Sequence, residues 1–216
     1  MCGIVGYVGS REAVPVLVEG LSRLEYRGYD SAGIAILGGK GTQVFRRVGR
    51  VRELEAALPR RLSAKIGIGH TRWATHGPAT EANAHPQSSA DLRISVVHNG
   101  IIDNAAVLRQ RLAAQGVTFT SETDTEIIAH LVARSAAPTL EAAVLEALSR
   151  ITGTYAILVM DERYPDRLVA ARNGSPLILG VGDREMFVAS DLAAIVRHTA
   201  SVVHLDDGEL ATVRAG

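Results

Sequence analysis

The chain's one cysteine, Cys2, directly follows Met1 and opens the run Cys2-Gly3-Ile4-Val5-Gly6. Cysteine is small enough for an aminopeptidase to remove the methionine ahead of it. The product would carry a thiol and a free α-amine on one residue. An α-amine has a pKa of about 7.7–8.0, far below that of a lysine amine, so it can act as a general base near neutral pH. It can activate the thiol directly or through a water, and no histidine is needed. The glycine behind Cys2 lets the backbone pass close to a substrate. The plainer alternative is a small buried hydrophobe, the usual fate of a lone cysteine.

Four other clusters carry chemistry-bearing residues. In His70-Thr71-Arg72-Trp73-Ala74-Thr75-His76-Gly77, Arg72 offers a bidentate fork for a carboxylate, and Thr75 and His76 can add hydrogen bonds. A metal held by His70 and His76 lacks a third ligand at matched spacing. In Val96-Val97-His98-Asn99-Gly100-Ile101-Ile102, Asn-Gly after an apolar run reads first as a turn. The Asn99 carboxamide and the Gly100 N–H nevertheless make two adjacent donors for the oxyanion of a tetrahedral intermediate. In Ser121-Glu122-Thr123-Asp124-Thr125-Glu126, Thr123 and Glu126 form the pattern of a capping box, so a helix is expected to begin at Asp124. The helix dipole would keep Asp124 ionised, ready to receive an ammonium. Arg72 for a carboxylate and Asp124 for an amine together fit an α-amino acid. In Leu24-Glu25-Tyr26-Arg27-Gly28-Tyr29-Asp30-Ser31, a helix exits through a glycine turn, and Arg27 and Asp30 form a candidate local charge pair. Gly67-x-Gly69 lacks the third glycine of a dinucleotide loop, and His85, His130, His198 and His204 are scattered and read as structural.

Patterning suggests the elements that must position these groups. Residues 3–8 read as a buried strand, and 12–25 as a helix with Val14, Leu17, Val18, Leu21 and Leu24 on one face. Residues 31–37 and 42–48 read as strands joined by a hairpin at Gly38-Gly39-Lys40-Gly41. A short helix at 50–58 stops at Pro59. Strands at 65–70 and 92–98 flank a polar segment, 71–91, too long to be an idle connection. Helices follow at 104–114, from Asp124, and at 139–150. Only strands come after them: 154–160, 167–171, 177–181, 186–189, and two near 202–205 and 209–213. Strands at both ends and helices between them indicate α+β, with two antiparallel sheets face to face and helices outside.

The 216 residues are 47% apolar and only 4% aromatic, so the core is expected to be Val, Ile, Leu and Ala, and one domain over 1–216 is the economical reading. Lys plus Arg and Asp plus Glu both number 23, without the basic surplus of a nucleic-acid or anionic-membrane partner. One cysteine excludes an internal disulfide. No signal peptide or membrane span is visible, so the chain reads as soluble and cytoplasmic. The end directly after a strand suggests part of something longer.

Taken together, Cys2-Gly-Ile-Val-Gly6, Tyr26-Arg-Gly-Tyr-Asp-Ser-Ala-Gly33, His70-Thr-Arg-Trp-Ala-Thr-His-Gly77, Asn83-Ala-His-Pro86, His98-Asn-Gly-Ile-Ile102 and Ser121-Glu-Thr-Asp-Thr-Glu126 resemble the glutaminase domain of the glutamine–fructose-6-phosphate aminotransferases, a class II glutamine amidotransferase family. The resemblance runs over essentially the whole chain. It implies a four-layer αββα sandwich of the N-terminal-nucleophile hydrolase type. It implies that Cys2 attacks the γ-amide of L-glutamine with its own α-amine as base, and that Asn99 and Gly100 form the oxyanion hole. Arg72, Thr75 and His76 would hold the substrate carboxylate, and Asp124 its ammonium. Trp73 would lie on a mobile loop over the site, and Arg27 would support the nucleophile region. No cofactor is implied. The partner would be a C-terminal sugar isomerase half, absent from this chain, in a homodimeric enzyme making glucosamine 6-phosphate.

Overall fold

The computed structural model describes residues 2–74 and 77–216. Its strands and helices run in the order β1 (Gly3–Gly9), α1 (Ala13–Arg23), β2 (Ser31–Gly38), β3 (Gly41–Val48), α2 (Val51–Ala57), β4 (Ile66–Arg72), β5 (Gln87–Ser88), β6 (Ile94–Ile102), α3 (Ala105–Ala114), α4 (Thr125–Arg134), α5 (Leu140–Leu148), β7 (Gly153–Asp161), β8 (Arg167–Asn173), β9 (Ile178–Gly182), β10 (Glu185–Ala189), β11 (Val202–His204) and β12 (Leu210–Arg214). Strands β11-β9-β10-β1-β4-β2-β3 form one antiparallel sheet, and β12-β8-β7-β6-β5 form the other.

Alternation along the strands builds the layers. On β7, Ala156, Leu158 and Met160 face the other sheet, while Ile157 and Val159 face the helices. On β1, Ile4 and Val8 point between the sheets, and Val5 and Tyr7 point toward α1. Three apolar clusters result. One lies between α1, α2 and the seven-stranded sheet, one lies between the two sheets, and one lies between the five-stranded sheet and α3–α5. This is the expected αββα sandwich. Gly67 and Gly69 find their explanation here. A Cβ on Gly67 would sit 2.8 Å from Leu17 Cδ1, and one on Gly69 would sit 3.0 Å from Leu21 Cδ1. The bare backbone of β4 therefore lets α1 lie close on the sheet.

The hairpin at Gly38–Gly41 forms as expected, with Gly38 paired to Gly41. Two local expectations fail. Asn99-Gly100 is no turn: β6 runs on to Ile102, with Asn99 opposite Ala156 and Gly100 opposite Tyr155 on β7. The Thr123–Glu126 capping box does not form either. The first helical residue of α4 is Thr125, and the Glu126 carboxylate turns back to accept N–H bonds from Thr120 (2.8 Å) and Ser121 (2.7 Å) and hydroxyl bonds from both. The loop before α4 offers the carboxylate four donors, two N–H groups and two hydroxyls, and it goes to them. No helix among the described residues is long and apolar enough to cross a membrane.

Candidate active site

Cys2 precedes β1, and the pairing of Gly3 with Thr71 brings it beside the end of β4. The Trp73 N–H donates to Cys2 Sγ at 3.2 Å, and the thiol lies 3.6 Å from the Trp73 carbonyl. Burial pushes the Cys2 thiol above its ordinary pKa. The Trp73 N–H and the Arg72 guanidinium pull the other way without reversing the shift. The resting group at neutral pH is therefore a thiol, and reaction there requires a base.

Arg72 closes β4 and is 4% exposed. Its two terminal nitrogens donate to the carbonyls of Pro78 (3.2 Å) and Gly77 (3.4 Å). Burial lowers its pKa, against the opposing pull of Cys2, Asp30 and Asp124. The backbone at this strand end is pinned by a close approach. A Cβ on Gly28 would lie 2.7 Å from the Arg72 carbonyl carbon and 2.8 Å from the Trp73 nitrogen. Asp30 secures the next residue, its Oδ2 accepting the Ala74 N–H at 2.9 Å.

From the other sheet, β6 brings Asn99 and Gly100. Asn99 Nδ2 donates to the Cys2 carbonyl at 2.9 Å. Gly100 sits at φ +138°, and a Cβ there would lie 2.1 Å from the Thr154 carbonyl oxygen, so only glycine fits. Asp124, at the start of α4, accepts the Ile102 N–H at 3.0 Å through Oδ2. Cys2, Arg72, Trp73, Gly100 and Asp124 line one cleft of about 340 Å³, its open side included. The Trp73 ring stands edge-on to Tyr29, with centroids 5.5 Å apart. Thr75 and His76 lie outside the described residues.

Arg27 does not pair with Asp30. It binds the Asp191 carboxylate, as does the Tyr26 hydroxyl at 2.9 Å. The neighbouring Ser190 holds Ile4 at both ends, accepting its N–H through Oγ (2.9 Å) and donating its own N–H to the Ile4 carbonyl (3.1 Å). Arg27 is thus tied to Asp191, next in sequence to the residue that holds Ile4 of β1.

A buried layer under the cleft has no periodicity that the sequence could reveal. His70, His85 and His98 line its floor. His70 stacks on His85 at 4.3 Å between centroids. Thr125 Oγ1 lies 2.7 Å from His85 Nε2 and 3.1 Å from His98 Nδ1. Burial drives the His85 pKa well below its ordinary value. His85 therefore belongs to the site, whereas the sequence had suggested only a scattered structural residue. Among the described residues no group of His, Cys, Asp or Glu is arranged to hold a metal.

A family model described as a glutamine amidotransferase domain matches residues 70–197. The chain belongs to that family. It is 50% identical over 221 residues to the glutamine–fructose-6-phosphate aminotransferase [isomerizing] of Chlorobaculum tepidum, a match covering 99% of this chain and 36% of the relative. It is 52% identical over 217 residues to the protein of the same name from Xylella fastidiosa strain 9a5c, covering 99% of this chain and 35% of that one. The amidotransferase domain thus spans about a third of the length of these relatives. Among solved structures, the glutamine phosphoribosylpyrophosphate amidotransferase of B. subtilis, complexed with ADP and GMP, superposes over all of this chain and 49% of its own. Its TM-score is 0.81 at 29% identity. A predicted glutamine amidotransferase from Pseudomonas aeruginosa shares the fold, with a TM-score of 0.58 at 15% identity over all of this chain and 93% of its own.

Proposed function

We propose that this domain hydrolyses L-glutamine to glutamate and ammonia, with Cys2 as nucleophile. The observation that carries the reading is the convergence on one cleft of a thiol, a buried guanidinium, a carboxylate and Gly100, with Asn99 Nδ2 held against the Cys2 carbonyl beside them. Removal of Met1 frees the Cys2 α-amine, which takes the thiol proton as Sγ attacks the side-chain amide carbon. Asn99 Nδ2 and the Gly100 N–H stabilise the oxyanion. Collapse expels ammonia, protonated by the α-ammonium, and leaves a thioester. Water then attacks through a second oxyanion and releases glutamate and the thiol. Arg72, with Thr75 and His76, binds the substrate carboxylate, and Asp124 binds its ammonium. Trp73 covers the cleft mouth, and Arg27 braces β1.

The named relatives favour an ammonia acceptor of one kind. The ammonia would serve conversion of fructose 6-phosphate to glucosamine 6-phosphate in a C-terminal isomerase half, within a homodimer. We take the setting to be cytoplasmic, where a lone thiol stays reduced. The test is intact mass before and after a glutamine-analogue electrophile, alongside glutamate release. Loss of Met1 with one adduct on Cys2, and glutamate release abolished by Cys2→Ala, are expected. A Met1-free chain that neither reacts nor releases glutamate would overturn the reading.

A further inference from the structure

His70 is buried at the floor of the cleft, with its Nε2 turned toward Asn99. Its Nε2 lies 3.0 Å from Asn99 Oδ1 and 3.1 Å from the His98 carbonyl oxygen. The two ends of the Asn99 carboxamide can be told apart. One end meets the Cys2 carbonyl, which can only accept, so that end is the NH2. The other end is then Oδ1, and His70 Nε2 must carry a proton. An unprotonated Nε2 would bring three lone pairs together in a buried space. The remaining ring nitrogen, Nδ1, is buried with no hydrogen-bond partner among the described residues, so a proton there would be orphaned. Burial, with smaller contributions from His98 and Arg72, drives the His70 pKa down to about 3 against the bonds to Asn99 and the His98 carbonyl. The ring is therefore neutral with its proton on Nε2, and the stacked His85 ring holds its plane.

We propose that His70 is a positioning residue for the oxyanion donor: its Nε2–H holds Asn99 Oδ1 away from the nucleophile and so keeps the Asn99 NH2 turned toward Cys2. A carboxamide has nearly the same shape when flipped. Only its partners decide which atom faces the cleft. With His70 gone, the flipped form becomes accessible, and it would present an acceptor oxygen to the developing oxyanion. Arg72 and Asp124 are not touched by this exchange, so binding is left alone.

The inference rests on the glutaminase reading, and its test is a double-mutant cycle on glutamine hydrolysis. His70→Leu is expected to lower kcat by about ten- to a hundredfold, less than the roughly 10²–10³-fold expected for Asn99→Ala, with KM within about threefold of the parent. In an Asn99→Ala background, adding His70→Leu should cost less than about threefold, because the donor it positions is already gone. His70→Gln keeps an N–H donor at similar reach and should recover most of the kcat. A ¹⁵N spectrum of the labelled parent protein should show His70 neutral, protonated on Nε2, at pH 6. This holds the inference to account even if His70→Leu does not fold. Multiplicative losses in the double variant, a raised KM with unchanged kcat, or a proton on Nδ1 would overturn the positioning role while leaving glutamine hydrolysis intact. A processed parent protein that releases no glutamate would overturn the glutaminase reading and this inference with it.

Discussion

Gly28→Ala offers a steric probe of the surroundings of Cys2 that alters the chemistry of no side chain in the candidate site. Gly28 has extended backbone at φ −178°, which alanine adopts without strain. The difficulty is space alone. The added Cβ would meet Arg72 C at 2.7 Å, Trp73 N at 2.8 Å and Arg72 O at 3.0 Å, all backbone atoms with no rotamer to yield. Ordinary van der Waals contact begins near 3.4 Å, so the end of β4 must retreat by about 0.7 Å. The Trp73 N–H that bonds Cys2 Sγ at 3.2 Å moves with it, as does the root of Arg72. Misplacement of about 1 Å can cost about a hundredfold in rate. The expected loss in kcat/KM is therefore about ten- to a hundredfold, or ~1.4–2.7 kcal/mol of barrier. Overpacking should also cost about 1–3 kcal/mol of stability. The assay is glutamate release, with alkylation of Cys2 across pH as an independent report on the thiol. Gly39→Ala is the control, because a Cβ at Gly39 meets nothing within 4 Å. If Gly28→Ala matched the parent in both turnover and alkylation, the contact between Gly28 and the end of β4 would not hold the nucleophile's surroundings in place.

Asn99→Ala should lower kcat by about 10²–10³-fold while changing KM far less, as steady-state kinetics would show; a raised KM with unchanged kcat would mean that Asn99 binds substrate instead. Arg72→Ala should chiefly raise KM for glutamine, and an unchanged KM would sink its assignment to the carboxylate. The third expectation concerns acid stability. Burial would raise the Glu126 pKa, but it is lowered to about 2 because hydrogen bonds to the carboxylate outweigh burial. His130 Nε2, 3.5 Å from Oε1, contributes most to that lowering, and the N–H and hydroxyl donors of Ser121 and Thr120 add to it. A depressed folded-state pKa gives stability that is complete above the unfolded value of 4.5 and fades as pH falls toward about 2, on the order of 3 kcal/mol. Urea unfolding of Glu126→Gln between pH 2 and 5 should show a flatter pH dependence than the parent; equal slopes would refute the assignment.

Much of the architecture is legible in the order of hydrophobic periods. Helical spacing over Val14–Leu24 and the even alternation of the late strands both reflect burial against a single neighbour, and burial is what such patterns record. The errors arise where a long-range partner overrides a local preference. Asn99-Gly100 carries a turn signal, yet nine residues of β7 pair with β6 and carry the strand through it. Thr123 and Glu126 have capping spacing, yet the carboxylate is drawn to donors five and six residues back. His85 was unreadable as part of the site, because its neighbours His70, His98 and Thr125 come from three other elements. The candidate residues suggested by motif are easier to pick out: Cys2, Arg72 and Asp124 each sit at or beside the end of an element, where side chains are free to face a cleft, and Asn99–Gly100 lie within β6.

That placement has a further consequence. Cys2, directly ahead of β1, and Arg72 on β4 stand with the seven-stranded sheet, while Asn99 and Gly100 belong to the five-stranded one. Their separation is therefore set by how closely the two sheets pack. Gly6 marks how close that is, since a Cβ there would lie 2.2 Å from Leu158 Cδ2 of the opposite sheet. At the open end the sheets are joined by polar bonds instead of apolar contact: Asn99 to the Cys2 carbonyl, and His70 to Asn99 and the His98 carbonyl. The same bonds that close the sandwich orient the donor beside the thiol. If Cys2 is the nucleophile, the geometry of the reaction and the packing of the fold rest on one set of contacts, which is why substitutions as small as one methyl group, at positions away from the cleft, are expected to be read out in turnover.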